Sequence, residues 1–206
     1  MVLVGITGGI GMGKSVSGQV LTDLSVPWVD TDELARQMTK PGSEALGQIV
    51  SVFGTDIVDS SGNLRRDRLA NLVFENPAAR RQLEAILHPR IALSWRARVT
   101  QWHREATPVA AVIIPLLYEK QYENDFSTIV CLACTRSTQM LRLRSRGWSD
   151  AQICGRNAAQ LSVSEKMERA SFVVWTEGSL TTHRLQWDRI LRRIIPLPGE
   201  STCCPV

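Results

Sequence analysis

The chain has 206 residues, 44% hydrophobic and 21% charged, which excludes disorder as its main state and suffices for one core with insertions. No apolar run approaches the about 18 residues of a membrane span, and the opening MVLVGITGG has neither a basic leader nor a cleavage site, so a cytoplasmic protein with no membrane partner is expected. The net charge of +4 comes from twenty arginines and four lysines against twenty acids, an excess that suits an anionic ligand and is too small for a nucleic-acid surface.

Val2–Thr7 is an apolar, β-branched run of the kind buried on both faces in a parallel sheet. Glycines 8, 9, 11 and 13 break it, and Val16, Val20, Leu21 and Leu24 then recur at helical spacing. Val26–Val29 reads as a second strand ending at Asp30, and Glu33–Met38 as a helix stopped before Pro41-Gly42. Helices are expected over Ser43–Phe53, Arg65–Phe74 and Ala78–Leu87, with a turn at Asp59-Ser60-Ser61-Gly62. Pro89 marks a break or restart before a helix running towards Trp102. Val109–Ile114 and Thr128–Ala133 are a third and a fourth strand. Ser137–Arg146 is a helix broken by Gly147, and Ser149-Asp150 opens another to about Ala159. Ser171–Trp175 is a fifth strand and Leu180–Ile194 a closing helix. Five cysteines are expected to be reduced, and Cys131 and Cys134, a lone CxxC inside an apolar run, read as buried thiols.

Strand and helix alternate, so the fold class is α/β with about five parallel strands in a three-layer core. The expected organisation is a nucleotide-binding core over residues 1–31, 106–135 and 169–195, a helical insertion over 32–105, an arginine-bearing lid over 136–168, and a flexible tail over 196–206. A monomer or small homo-oligomer is expected.

Residues 8–15, GGIGMGKS, fit G-x-x-x-x-G-K-[ST] in full, after a buried strand and at the opening of a helix. Backbone N–H groups must wrap a triphosphate closely, which only glycine permits in such conformations. Gly8, Gly9, Gly11, Met12, Gly13, Lys14, Ser15 and Val16 are therefore the candidate ATP-binding residues, with Lys14 reaching the β/γ-phosphates and the Ser15 hydroxyl on Mg²⁺. A switch GTPase would also need an Asn-Lys-x-Asp segment, which is absent. Phosphoryl transfer to an alcohol needs a carboxylate across the gap. Asp30 and Asp32, at the end of the second strand, stand where α/β sheets gather ligands, although Thr31 or Asp32 would serve equally as a helix cap.

The chain resembles the dephospho-CoA kinases over nearly its whole length. The resemblance is carried by GITGGIGMGKS (5–15), VPWVDTDELARQ (26–37), Leu87-His88-Pro89, IPLLYE (114–119), Gln139, Arg142, Arg146, Arg156, Ala158-Ala159-Gln160 and Glu165-Lys166. It implies transfer of phosphate from ATP, with Mg²⁺, to the ribose 3′-hydroxyl of dephospho-CoA, the last step of coenzyme A synthesis. It further implies Asp32 as general base and acceptor contacts from His88, Pro115, Leu116, Leu117 and Glu119, with Leu116 and Leu117 read equally as ordinary packing and His88 as satisfying backbone beside Pro89. Arg142 and Arg146, four apart on one helix face, would close over ATP and neutralise developing charge, with Lys14 as a further catalytic group; Arg144 points elsewhere and Arg156 is a weaker candidate. The chain departs from the family at Val16, where threonine is usual, at Ile113, where an acid is common, and near Thr176, where an asparagine is usual. The alternatives are another small-metabolite or nucleotide kinase, and a nucleotide-dependent binding module without transfer chemistry.

Overall fold

Short runs of Val, Ile and Ala form the strands, and amphipathic stretches between them form the helices. In chain order the elements are β1 (Val2–Thr7), α1 (Lys14–Asp23), β2 (Trp28–Asp30), α2 (Thr31–Met38), α3 (Glu44–Phe53), α4 (Arg66–Glu75) and α5 (Pro77–Arg104). They continue as β3 (Val109–Ile113), β4 (Thr128–Ala133), α6 (Arg136–Arg144), α7 (Asp150–Ala158), α8 (Val163–Arg169), β5 (Phe172–Trp175) and α9 (Leu180–Ile194). The structure is a computed structural model that describes residues 1–195; the tail, with Cys203 and Cys204, lies outside the described residues. The chain divides into two compact units, one of residues 1–30 with 102 onwards, the other of residues 31–101.

The first unit holds a five-stranded parallel sheet in the order β2-β3-β1-β4-β5. Every residue of β3 and β4 is buried, as expected of parallel strands covered on both faces. Val20 and Leu21 of α1 and Trp187, Ile190 and Leu191 of α9 pack with Val4, Ile6, Val130, Leu132 and Val174 into one core. From β1 the chain builds the sheet first to one side, through β3 and β2, and then to the other, through β4 and β5. The carboxyl end of β1 is thus the switch point of the sheet, where such folds bind their ligands.

Thr135, Ser149, Ser162 and Ser179 cap α6, α7, α8 and α9 with their hydroxyls, and Ser149-Gln152 and Ser162-Glu165 form reciprocal capping boxes. The short helix α8 is not among the elements expected from the sequence: it has few apolar residues, and its signal is the Ser162/Glu165 pair. Helix α6 ends at Arg144 because Gly147, at φ 82°, donates its N–H to Arg144 O (2.9 Å). Arg146 therefore lies past the helix end and is exposed, so the single helical face expected for Arg142 and Arg146 is corrected. Arg144 is exposed but held by Asp150, with two bonds of 2.8 Å. Cys131 and Cys134 are buried free thiols, and burial pushes the Cys131 thiol up to about 11.

The second unit is helical. Ile49, Ile57 and Leu69 form its centre, covered by Val50, Phe53, Val73, Leu83, Ile86 and Leu87. Ser43 caps α3, and Asp59 closes the turn before α4 by accepting from the amides of Ser61 (2.9 Å) and Asn63 (2.8 Å). Those bonds hold the Asp59 carboxyl below the usual carboxylate range. The break expected at Pro89 does not occur: α5 runs through it for 28 residues. Proline removes one N–H from the ladder, at a usual cost of about 3 kcal/mol. Here Arg90 Nη1 donates to Ile86 O (2.8 Å) beside the gap, and apolar residues on both sides, Ile86 and Leu87 before it and Trp95 after, are held by packing. Among the described residues no helix is long and apolar enough to cross a membrane.

Candidate active site

β1 ends at Thr7, and the chain turns through Gly8, Gly11 and Gly13 at φ of 145°, 73° and 82°. These are conformations glycine adopts at little cost. Space excludes side chains as well: a Cβ on Gly8 would stand 2.6 Å from Leu132 O, and one on Gly13 3.1 Å from Thr176 Cβ. Lys14 Nζ folds along the loop and donates to the carbonyls of Gly8 (3.0 Å) and Gly9 (2.8 Å). Helix α1 begins at that lysine with no side-chain cap and no acid in its first turn. Its first amides and the positive end of its dipole therefore suit an anion. Ser15 and Val16 stand exposed in the same turn. Met12 is buried, its sulfur accepting from Cys134 N (3.2 Å), so it can offer a ligand only its main chain.

Helix α6 grips this loop with two side chains one turn apart. Gln139 Nε2 donates to Ile10 O (2.7 Å) and to Asn157 Oδ1 (3.2 Å). Arg142 Nη1 donates to Gly11 O (3.3 Å) and Thr176 Oγ1 (2.9 Å), while Nη2 donates to Thr176 O (2.5 Å). Arg142 thus ties the glycine loop to the segment after β5. Just beyond, Glu177 accepts from the Thr135 hydroxyl and amide and from Trp175 Nε1, bonds that hold its carboxyl down at about 2. Under the loop, Ser17 Oγ lies 2.8 Å from His183 Nε2, to which Trp187 Nε1 donates (3.2 Å). An indole only donates, so that nitrogen is an acceptor and the buried ring is neutral. Burial, and secondarily the charge of Arg142, lowers the His183 pKa.

Two hollows adjoin the loop. A cleft of about 560 Å³ is lined by Gly9, Met12, Arg136, Gln139, Asn157 and Leu161. A second, of about 510 Å³, lies between α1 and α9, bounded by Ser15, Val16, Gln19, Leu180 and Arg184.

The turn after β3 differs from its expected role. Leu117 has no exposed surface and meets Gly5 and its neighbour Phe126, and Pro115 is buried with its carbonyl accepting from Thr7 Oγ1 (3.2 Å) and Lys166 Nζ (2.7 Å). Neither side chain can line a pocket, which corrects their assignment as acceptor contacts. Leu116 and Glu119 keep partial exposure, with Glu119 Oε1 bound to Lys166 Nζ (2.8 Å) and to the amide of Leu161 (2.8 Å). In the second unit, Asp32 is exposed in the first turn of α2, and His88 is half-buried in α5. Sequence reasoning assigned no site role to Gln139, His183 or Lys166. The i, i+3 spacing of Gln139 and Arg142 is the signal that marks the first; an isolated histidine and lysine give none.

A parallel sheet with a lysine-closed glycine loop at its switch point, leading into an uncapped helix, defines a P-loop kinase. Residues 2–182 match the model of the dephospho-CoA kinase family, CoaE. A dephospho-CoA kinase of Anaeromyxobacter dehalogenans is 39% identical over 93% of this chain and 91% of its own, and one of Thiobacillus denitrificans is 38% identical over 97% and 98%. A crystal structure from Thermus thermophilus superposes with a TM-score of 0.76 at 30% identity, covering 94% of this chain and 97% of its own. The chain belongs to the dephospho-CoA kinase family. As a member it is a transferase of coenzyme A biosynthesis that phosphorylates dephospho-CoA with ATP.

Proposed function

We propose that the phosphate goes to the ribose 3′-hydroxyl of dephospho-CoA, that Mg²⁺ assists, and that the residues divide the work as follows. The observation that carries this is the glycine loop, whose three left-handed glycines and folded lysine leave a ring of amides at the free end of α1. Main-chain groups of Gly8 to Val16 bind the ATP phosphates, and Lys14 moves from the loop carbonyls to the β/γ-phosphates. Mg²⁺ fits the donors present: Ser15 offers one exposed hydroxyl, and among the described residues no cluster of three His, Cys, Asp or Glu forms a protein cage. A cation held by one hydroxyl takes its other ligands from phosphate and water, as Mg²⁺ does. Bound there, Mg²⁺ would neutralise charge on the transferred group.

Asp32, two residues beyond the end of β2, serves as general base for the 3′-hydroxyl. His88, Leu116 and Glu119 are the remaining acceptor-side candidates. Arg142 acts on the nucleotide side, where it touches the loop and Thr176, and exposed Arg146 supplies charge when residues 136–168 close as a lid. Residues 32–105 form the acceptor-binding part. The chain works in the cytoplasm, as a monomer or small homo-oligomer, without nucleic-acid or membrane partners. Departures at Val16 and Ile113 remove two side-chain groups but no loop amide, so activity is retained.

The test is ADP release with ATP, Mg²⁺ and a panel of acceptors, with the product located by phosphorus NMR. Dephospho-CoA should be the strongest stimulant, giving a 3′-phosphomonoester, and EDTA should abolish turnover. Equal stimulation by a nucleoside monophosphate or a sugar refutes the substrate, and full activity in EDTA refutes the metal.

A further inference from the structure

Among the described residues, Lys166 is the one lysine or arginine with no exposed surface. It lies in α8, and its ammonium meets two acceptors from the turn after β3, Pro115 O at 2.7 Å and Glu119 Oε1 at 2.8 Å. Each acceptor has a second donor. Pro115 O also takes the hydroxyl of Thr7, the last residue before the glycine loop. Glu119 Oε1 also takes the amide of Leu161, on the wall of the 560 Å³ cleft with Gly9 and Met12. Three separate segments therefore meet at one nitrogen: the end of β1, the turn after β3, and the rim of the cleft before α8.

Burying an ammonium is costly, and an apolar pair of similar volume commonly stabilises a fold as well as a buried ion pair or better. Stability alone thus gives no reason for a lysine here. What an apolar chain cannot do is hold two acceptors at fixed distances. We propose that Lys166 is a positioning residue for phosphoryl transfer, fixing the turn after β3 and the Leu161 edge of the cleft against the strand that carries the phosphate loop. The proposal rests on the kinase reading above and adds to it a residue that touches neither substrate.

The decisive variant is Lys166→Met with Glu119→Leu, which removes both charges together and leaves no lone buried ion. We expect a melting temperature within about 5 °C of the wild type. The KM for ATP should stay within about twofold, because Lys14, Gln139 and Arg142 still hold the loop. Turnover with dephospho-CoA should fall at least about tenfold, since misplacement of reacting groups by about 1 Å costs up to about a hundredfold. Lys166→Arg keeps the charge near Glu119 and should recover part of the loss. Wild-type turnover in the double variant, or a fall that only follows the folded fraction seen by circular dichroism, overturns the proposal. If the double variant does not fold, Glu119→Gln, which keeps volume and the acceptor for Leu161, decides: about threefold or greater loss of turnover at constant ATP KM supports the assignment, and normal turnover overturns it. A wild type that makes no coenzyme A overturns the substrate reading and this proposal together; a normal wild type with a normal variant overturns Lys166 alone.

Discussion

Gly8→Ala and Gly47→Ala are the same chemical change with opposite expected outcomes. Gly8 has φ 145°, a conformation that costs a non-glycine residue about 1–3 kcal/mol. Its new methyl would also stand 2.6 Å from Leu132 O. That oxygen belongs to β4, which pairs directly with β1, so neither side can yield without disturbing the ladder; overpacking of this kind adds about 1–3 kcal/mol. The total of about 2–6 kcal/mol corresponds to a melting point lowered by roughly 5–20 °C in a chain of this size. The loop amides shift with the residue, so the KM for ATP should rise at least about tenfold, equivalent to losing one good hydrogen bond. Gly47 is exposed inside α3, with nothing within 4 Å of the point where an added methyl would stand. Alanine there gains about 0.5–1 kcal/mol of helix propensity and should raise the melting point by about 1–4 °C with unchanged kinetics. Thermal melts and ATP-dependent initial rates on the two proteins check both. A Gly8→Ala protein that melts with the wild type and keeps its ATP KM would refute the geometry of the loop.

Two further outcomes follow from the site. Asp32→Asn should lower kcat by about 10²–10⁴ while the KM for ATP stays within about twofold; near-normal turnover removes Asp32 from the base role. His183, neutral and buried, has a folded-state pKa below its usual 6.5, so its stabilising share is complete above that pH and is lost as pH falls through and below it. Melting temperatures from pH 8 to pH 5 should therefore decline less in His183→Gln than in the wild type, and parallel declines would show that the Ser17–His183–Trp187 contact does not titrate.

The sheet and the phosphate loop were legible because each depends on local pattern. Thr128–Ala133 and Leu180–Ile194 are bounded as the apolar runs suggest, and the spacing of glycines, lysine and serine leaves few structures in which those residues cohere. What escaped the sequence depends on partners distant in the chain. Pro89 is a breaker by its own chemistry, but Arg90 and the packing on either side of it carry the helix across. Leu117 resembles a pocket residue by motif, and only the close approach of Gly5 and its neighbour Phe126 shows it to be sealed in. A lone lysine reads as a solvated charge; acceptors 51 residues upstream, at Pro115, make Lys166 an interior group. Arg142 and Arg146 look equivalent at a spacing of four until Gly147 ends their helix early.

Strands β2 and β3 are hydrogen-bonded neighbours, yet the chain between them, from Thr31 to Gln101, is a compact unit in its own right. In topological terms that whole unit is a single crossover. Its length and contents are invisible to the ladder, which asks only that one strand finish and the adjacent one begin. A lineage could therefore exchange this connection for another, and with it the kind of alcohol presented, while the phosphate-handling half kept every residue in register.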